Sequence, residues 1–253
     1  MIHVKNLWKR FDQKVVLKGV NLEIPTGKTI VILGQSGAGK SVLLRHIMGI
    51  EEPDEGEIEI DGIEITKLKE EKRYVIMKEM GMLFQNSALF DSLSIEENTG
   101  FYLKEHTHLS RMEIEEKVAA ALEMVGLKGT QKLMPADLSG GMRKRAALAR
   151  LIVYRPRFLL YDEPTTGLDP ITAMQINDLI LTTQKELGAT SIVVTHDLCS
   201  ALHVADLIAL NHEGKILHCT TKEQFIRLED PVVRAFLKNS IPEGELFHEK
   251  KNP

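Results

Sequence analysis

The sequence lacks an apolar run approaching the ~20 residues that a membrane-spanning helix needs, and it lacks the basic start with an apolar centre that marks a secretory signal. We therefore expect no membrane span and a cytosolic protein. Cysteine is also scarce, because Cys199 and Cys219 are the two present and neither lies in the spacing of a metal or redox motif. We expect buried or reduced thiols without a disulfide.

Neither sign of charge is in large excess: 32 Lys and Arg residues face 36 Asp and Glu residues, for a formal net charge of -4. This balance provides no overall attraction to nucleic acid, so we expect no nucleic-acid partner. The 253 residues are enough for one large α/β domain or two small ones, and no internal repeat divides the chain.

What the sequence does contain is a phosphate-loop pattern between a predicted strand, Thr29 to Leu33, and a predicted helix that ends near Met48. Glycines let successive backbone N–H groups point at one phosphate, and the positive end of the following helix favours an anion. A glycine-rich turn without a ligand is the alternative, but it would carry the final Lys-Ser pair only by chance. The residues of this predicted nucleotide site are Gly34, Gln35, Ser36, Gly37, Ala38, Gly39, Lys40, Ser41 and Val42.

Within such a loop the lysine and the hydroxyl have separate tasks. Lys40 reaches the β- and γ-phosphates of a nucleotide, and the Ser41 hydroxyl holds Mg²⁺. A second pair of functional residues, Asp162 and Glu163, follows the predicted strand that begins at Phe158. We assign Asp162 to the metal and Glu163 to the base that activates water. A purely structural role is disfavoured, since adjacent acids leaving a buried strand without a cation would be costly.

Polar residues follow two other predicted strands. Gln85 ends the apolar run Gly81 to Phe84, and His196 follows the strand Thr190 to Thr195. Ligands of an open parallel sheet gather at the carboxyl ends of its strands. We therefore expect Gln85 near the metal and His196 near the γ-phosphate, although each residue alone would be an ordinary polar residue at a strand end.

A second helix start that suits an anion is predicted at Ser139, Gly140 and Gly141. Ser139 can cap the helix, and the two glycines expose backbone N–H groups at its positive end. A capping turn alone would not need the glycine pair, so we favour anion binding over pure capping. The basic run from Arg143 to Arg145 is predicted to be a solvated face of this helix.

These motifs stand in the order found in the ATP-binding subunits of ABC transporters, which the chain resembles over nearly its whole length. One departure is Met142, where the family signature usually has Gln; the serine and both glycines of the signature are retained, so hydrolysis is expected to survive. The motifs that carry the resemblance are the phosphate loop at Gly34 to Ser41, the Q-loop at Gln85, the signature at Leu138 to Met142, the Walker B strand at Phe158 to Glu163, the D-loop at Gly167 to Asp169 and the switch at His196.

The resemblance implies an α/β fold, with a P-loop NTPase (RecA-like) core, an antiparallel β-subdomain and an inserted α-helical subdomain. The core would comprise residues 1–90 and 155–230, and the helical subdomain about 91–154. A C-terminal tail would cover 231–253. For this tail, which contains Leu246 and Phe247, docking on a partner and disorder both stay open.

The resemblance also implies how the nucleotide is held. An aromatic residue stacks on adenine in this family, and Phe11 stands at the expected place with Val16 beside it; a Phe that plugs the β-subdomain is the alternative. Two copies would pair head to tail as a homodimer. Each ATP, with Mg²⁺, would lie between Lys40 of one copy and Ser139 of the other, and hydrolysis would weaken this clamp.

Within the family, the phosphate-loop, Q-loop and signature sequences resemble MlaF-type ATPases of the lipid-trafficking Mla/Mce branch. That resemblance implies phospholipid transport between envelope membranes and a peripheral location on the cytoplasmic side of the inner membrane. The implied partners are an MlaE-like integral membrane permease, contacted near Gln85 to Tyr102, an Mce-domain substrate-binding protein and a STAS-domain regulator.

The cargo cannot be read from the residues, because no side chain of an ATPase subunit touches it. An importer for an amino acid or a metal ion therefore stays open as an alternative, as does a soluble ABC ATPase of the iron–sulfur assembly type. A nucleotide-binding regulator without turnover is opposed by Glu163.

Overall fold

The computed structural model describes residues 1–240, and these residues form two β-sheets and nine α-helices. The strands are β1 (Ile2–Phe11), β2 (Lys14–Ile24), β3 (Thr29–Leu33), β4 (Glu55–Ile60), β5 (Ile63–Glu64), β6 (Met80–Leu83), β7 (Phe158–Asp162), β8 (Thr190–Thr195), β9 (Leu207–His212) and β10 (Lys215–Thr221). The α-helices are α1 (Lys40–Ile47), α2 (Glu70–Met77), α3 (Ile95–His106), α4 (Arg111–Met124), α5 (Gly140–Ile152), α6 (Pro170–Leu187), α7 (Leu198–Val204), α8 (Lys222–Phe225) and α9 (Pro231–Ser240).

The central sheet has the strand order β10-β9-β3-β8-β7-β6, and its strands are parallel apart from β10. Alternate residues of a strand point to opposite faces, so Val31 and Leu33 of β3 pack with the helices α5 to α7 while Ile30 and Ile32 pack with α1 and the second sheet. Because both faces are covered, β3 is continuously apolar from Ile30 to Leu33. The predicted α/β architecture with a parallel sheet is confirmed.

The second sheet, in the order β2-β1-β4-β5, is antiparallel. The sequence predicts its first two strands at residues 2–7 and 15–24, and both are present. Strand β1 continues past the predicted end to Phe11, through irregular pairing near Leu7. The longer strand brings Phe11 to the tip of the β1–β2 hairpin, where it pairs with Lys14.

The helices α3, α4 and α5 pack against one another and form a layer beside β6; we call α3 to α5 the helical layer. Ser94 and Ser110 begin α3 and α4 with capping boxes. In each box the serine hydroxyl accepts from the backbone N–H of a Glu three residues later, and the side chain of that Glu accepts from the backbone N–H of the serine. Buried apolar residues such as Leu103 and Leu122 join this layer to the core of the central sheet.

The predicted solvated basic face on α5 is wrong for Lys144, whereas Arg143 is exposed and Arg145 is half-buried. Lys144 is only 5% exposed, and its Nζ donates a hydrogen bond to the backbone carbonyl of Gln85. Neighbouring Arg143 donates to the Leu138 carbonyl at 2.8 Å, and Arg145 donates to the Val125 carbonyl at 3.3 Å. Consecutive residues of a helix point about 100° apart, so three adjacent basic residues cannot share one solvent face.

Within residues 1–240, no helix is both long and apolar enough to cross a membrane. Cys199 and Cys219 are both exposed, and no disulfide joins them. Helix α9 follows α8 and packs against α7, with Val233 and Leu237 buried in the core. Residues 241–253, which include Leu246 and Phe247, lie outside the described residues.

The packing of α9 predicts that the helix contributes to the stability of the whole domain. We expect Leu237→Ala to lower the free energy of unfolding by about 2–4 kcal/mol, because it removes a buried side chain and leaves a cavity. Chemical denaturation of the full chain measures this change. The exposed Ala235→Ser on the same helix serves as the control, and equal effects of the two substitutions would mean that α9 is not anchored through Leu237.

Candidate functional site

The phosphate loop lies between β3 and α1 and is clamped by two other strands. A Cβ on Gly34 would meet the Asn211 carbonyl at 2.3 Å, and a Cβ on Gly39 would meet a Val16 methyl at 2.9 Å. Gly39 also has φ +91, in the left-handed region that favours glycine. The loop therefore needs glycine at these positions both for its conformation and for the close approach of β2 and β9.

The N-terminus of α1 is suited to an anion. Its N-cap is Gly39, which provides no side-chain hydrogen bond, and no acidic residue lies in the first turn. The first N–H groups of a helix have no partner within the helix and carry a partial positive charge. A phosphate group is the kind of ligand that such an end binds.

Lys40 is buried beside the loop that it follows. Its side chain is 5% exposed, and Nζ donates to the carbonyls of Gly34 and Gln35 at 2.9 and 3.0 Å. The same ammonium lies 3.3 Å from Glu163 Oε1. A buried charge is tolerated when it is paired and hydrogen-bonded, so these contacts fix the ammonium between the loop and the acid pair.

The acid pair lies at the end of β7 and faces the start of α1. Ser41 Oγ donates to Asp162 Oδ1 at 2.7 Å, so a hydroxyl and a carboxylate meet there as two oxygen donors, the type that Mg²⁺ prefers. Burial raises the pKa of the Asp162 carboxyl above its ordinary value; the hydrogen bond from Ser41 opposes the rise, and the Glu163 charge adds to it. A cation at this point would offset both the burial of the carboxylate and its repulsion by Glu163.

Glu163 adopts a strained backbone conformation at the centre of the site. Its φ is +48, which is uncommon for a residue with a side chain. His196 Nδ1 lies 2.8 Å from Glu163 Oε2, and the Thr166 hydroxyl donates to the same oxygen at 3.2 Å. With Lys40 on Oε1, both carboxylate oxygens have partners, and the carboxylate is held at the carboxyl edge of the sheet.

A cleft of about 400 Å³ opens in front of these groups. Gln85 reaches this cleft from the segment after β6, and His196 reaches it from the end of β8. Thr166 also lines the cleft and was not among the predicted residues. The sequence could have indicated it, because it lies three residues after Glu163 and just before the D-loop turn. The lining residues are Val16, Ser36, Gly37, Gly39, Lys40, Ser41, Val42, Gln85, Glu163, Thr166 and His196.

The other predicted residues are distributed around this cleft. Gln35 lines a neighbouring cavity of about 500 Å³ between the phosphate loop and α9. Ala38 lies within the loop itself, where its N–H donates to the Gln35 carbonyl at 3.2 Å. Phe11 is 40% exposed, which does not fit a plug of the β-subdomain, and the Lys9 ammonium lies 5.4 Å from its ring centroid.

The second predicted anion site lies apart from this cleft. Among the described residues, none of Ser139, Gly140 and Gly141 lines it. Ser139 caps α5 by accepting from the Met142 N–H at 3.3 Å, and a Cβ on Gly141 would meet Thr172 at 2.6 Å. Capping and close packing with α6 thus account for two of the three residues inside one copy. Gly140 is exposed and meets only Leu168, at 3.8 Å.

Comparison with known proteins gives a consistent result. A family profile described as "ABC transporter" matches residues 17–166. The chain is 43% identical over 238 residues to the intermembrane phospholipid transport system ATP-binding protein MlaF of Haemophilus influenzae, which covers 94% of this chain and 90% of that protein. It is 40% identical over 236 residues to the probable ribonucleotide transport ATP-binding protein mkl of Mycobacterium leprae, covering 93% and 68%.

A solved structure also resembles the fold. It is the dimeric post-hydrolysis state of the ATP-binding cassette MJ0796 bound to ADP and Pi, with a TM-score of 0.79 and 31% identity, covering 88% of this chain and 99% of that one.

The raised pKa of Asp162 predicts a stability that depends on pH. Because the folded protein binds this proton more tightly than the unfolded chain does, the ionised carboxylate destabilises the fold at neutral pH, and the penalty disappears as the pH falls below the ordinary Asp pKa. Without metal or nucleotide, Asp162→Asn should raise the melting temperature at pH 7, by about 2–4 °C per kcal/mol relieved.

Thermal unfolding between pH 7 and pH 3 in a chelating buffer measures the difference. The gain should shrink toward acid pH, and the exposed Asp91→Asn should show no comparable gain. An Asp162→Asn variant less stable than the wild type at pH 7 would contradict the electrostatic assignment.

Proposed function

The chain belongs to the ABC transporter family of ATP-binding proteins, and we propose that it is the ATP-hydrolysing subunit that drives a separate membrane permease for phospholipid. The observation that carries this proposal is the position of Glu163, 3.3 Å from Lys40 and 2.8 Å from His196, beside a phosphate loop that opens onto a cleft. A carboxylate held next to a phosphate site is what the activation of a hydrolytic water requires.

The roles of the site follow from the contacts. The backbone N–H groups of the loop and the Lys40 ammonium bind the phosphates, and Glu163 takes the proton of the attacking water. Ser41, Asp162 and Gln85 would hold Mg²⁺, which neutralises phosphate charge when bound. His196 positions Glu163 through Nδ1, and its imidazole would contact the γ-phosphate. Phe11 and Val16 contact the adenine.

The exposed N-terminus of α5 supports a head-to-tail homodimer. Ser139 and Gly140 present a positive helix end to solvent, away from the cleft of their own chain. In a head-to-tail pair this end closes over the nucleotide of the other copy, and ATP joins the two copies until hydrolysis weakens the contact. The similarity to a cassette solved as a dimer with ADP and Pi supports a dimer of this chain.

The phospholipid cargo is supported by the MlaF relative, which is named for an intermembrane phospholipid transport system. The partners that accompany this proposal are an MlaE-like permease, an Mce-domain substrate-binding protein and a STAS-domain regulator, with the chain peripheral to the cytoplasmic side of the inner membrane. The exposed rings of Phe90 and Phe101, 4.9 Å apart in the segment predicted to receive the permease, support an apolar contact there.

Ribonucleotide transport is the second candidate, because the mycobacterial relative named for it is 40% identical. A complex of the chain with its permease, reconstituted in liposomes, distinguishes the two cargoes. We expect ATP-dependent movement of a fluorescent phospholipid and none of a labelled ribonucleotide, and the opposite result would favour the second candidate.

The base assignment predicts the behaviour of Glu163→Gln. Turnover should fall by about 10²–10⁴-fold because Gln cannot accept the proton, while ATP binding persists and an ATP-dependent dimer accumulates. Phosphate release and gel filtration with ATP measure the two effects. The exposed Glu186→Gln on α6 is the matched control, and wild-type turnover by Glu163→Gln would refute the assignment.

The phosphate role of Lys40 predicts a different defect. Lys40→Ala removes a charged donor from the loop, so the dissociation constant for ATP should rise by about 10–100-fold. Nucleotide titration measures this constant, with the exposed Lys185→Ala as the control. Unchanged affinity in Lys40→Ala would remove this residue from the phosphate site.

A further inference from the structure

The segment that follows β6, Gln85 to Phe90, has a backbone that its own sequence does not explain. Ser87 and Ala88 have φ of +63 and +48, so two consecutive residues with side chains lie in the left-handed region. Such a conformation costs free energy and persists only where the surroundings impose it. The source of that constraint is found in the helical layer.

Arg150 of α5 provides the first constraint. Its Nη1 donates to the Ala88 carbonyl at 2.7 Å, and its Nη2 donates to the Ser87 carbonyl at 3.1 Å. The guanidinium also lies 5.7 Å from the ring centroid of Phe90. A planar fork of two donors matches two adjacent carbonyls, and a lysine ammonium would not reproduce this geometry.

Two further side chains of the helical layer fix the ends of the segment. Asn98 of α3 is fully buried; its Nδ2 donates to the Phe90 carbonyl at 3.0 Å, and its Oδ1 accepts from the Phe90 N–H at 2.8 Å. Lys144 of α5 is buried as well and donates to the Gln85 carbonyl. Side chains of α3 and α5 thus contact the backbone at both ends and in the middle of the segment.

We propose that Arg150, with Asn98 and Lys144, is a positioning residue that fastens the segment 85–90 to the helical layer and thereby sets where Gln85 stands at the cleft. The position of the segment is then set by α3 and α5, although in sequence the segment continues directly from β6. Gln85 itself is exposed and lines the cleft. The consequence for the metal rests on the proposed function, whereas the anchoring of the backbone does not.

Hydrogen exchange measured by mass spectrometry on the full chain tests the anchoring. In Arg150→Met, amides of the peptide covering 84–93 should exchange at least about tenfold faster, since loss of a charged hydrogen bond releases the strained turn. Amides of β3 should be unchanged. Arg111→Met, which alters a side chain 92% exposed in a surface ion pair, is the control and should leave the 84–93 peptide unchanged.

Unchanged exchange of the 84–93 peptide in a folded Arg150→Met protein would overturn the proposal. If Arg150→Met instead accelerates exchange everywhere, Arg150→Lys decides, because it keeps the charge and loses the fork. Faster exchange confined to 84–93 in Arg150→Lys supports the proposal, and wild-type exchange there overturns it.

The Mg²⁺ dependence of ATP hydrolysis tests the functional consequence. Removal of a residue that orients a metal ligand weakens metal binding by about tenfold or more. Arg150→Met should therefore need about ten times more Mg²⁺ for half-maximal activity. Its rate at saturating Mg²⁺ should approach the wild-type rate. An unaltered Mg²⁺ requirement in an active variant would overturn the positioning role. A wild-type protein without ATP hydrolysis would instead refute the proposed function.

Discussion

The buried pairing of charges at the carboxyl edge of the central sheet constrains the rest of the structure. Asp162 and Glu163, at the end of β7, are both almost fully buried. Their partners Ser41 and Lys40 come from the helix that follows β3. A buried carboxylate without a partner is costly, so β7 must lie where the phosphate loop can reach it. The order β3-β8-β7 meets this requirement and adds His196 from the strand between them.

The helical layer also contacts this edge of the sheet, through the segment that follows β6. Its helix α5 begins at the exposed glycine of the signature, holds the Gln85 carbonyl through Lys144 and holds the following turn through Arg150. A single rigid helix therefore joins the surface offered to a second copy, the segment that carries the metal candidate Gln85, and the aromatic surface at Phe90. Under the proposed function, this arrangement would couple nucleotide closure to the face where a permease binds.

Much of this could be predicted because the signals are local. The loop glycines, the acids after an apolar strand and the helix cap at Ser139 each follow from short-range pattern, and β3 and β8 begin and end at the predicted residues. The role of Lys144 was missed, since its burial depends on a turn 59 residues away in sequence. The role of Arg150 was missed for the same reason, because the carbonyls of Ala88 and Ser87 that it contacts are 62 and 63 residues away in sequence. Thr166 was missed although its partner Glu163 is only three residues away, because the sequence does not show that its hydroxyl faces this carboxylate. The cargo could not be predicted, because no side chain of an ATPase subunit touches it.

The central claim is that each nucleotide is closed by Lys40 of one copy and the signature helix of the other, and ATP hydrolysis by mixed dimers tests it most directly. Gly140→Asp suits this test because a side chain fits there and its charge repels phosphate. A dimer of one Lys40→Ala copy and one Gly140→Asp copy should retain one undamaged site and hydrolyse ATP, whereas a double variant paired with wild type should lose both sites. Activity in the second pair and none in the first would contradict the account.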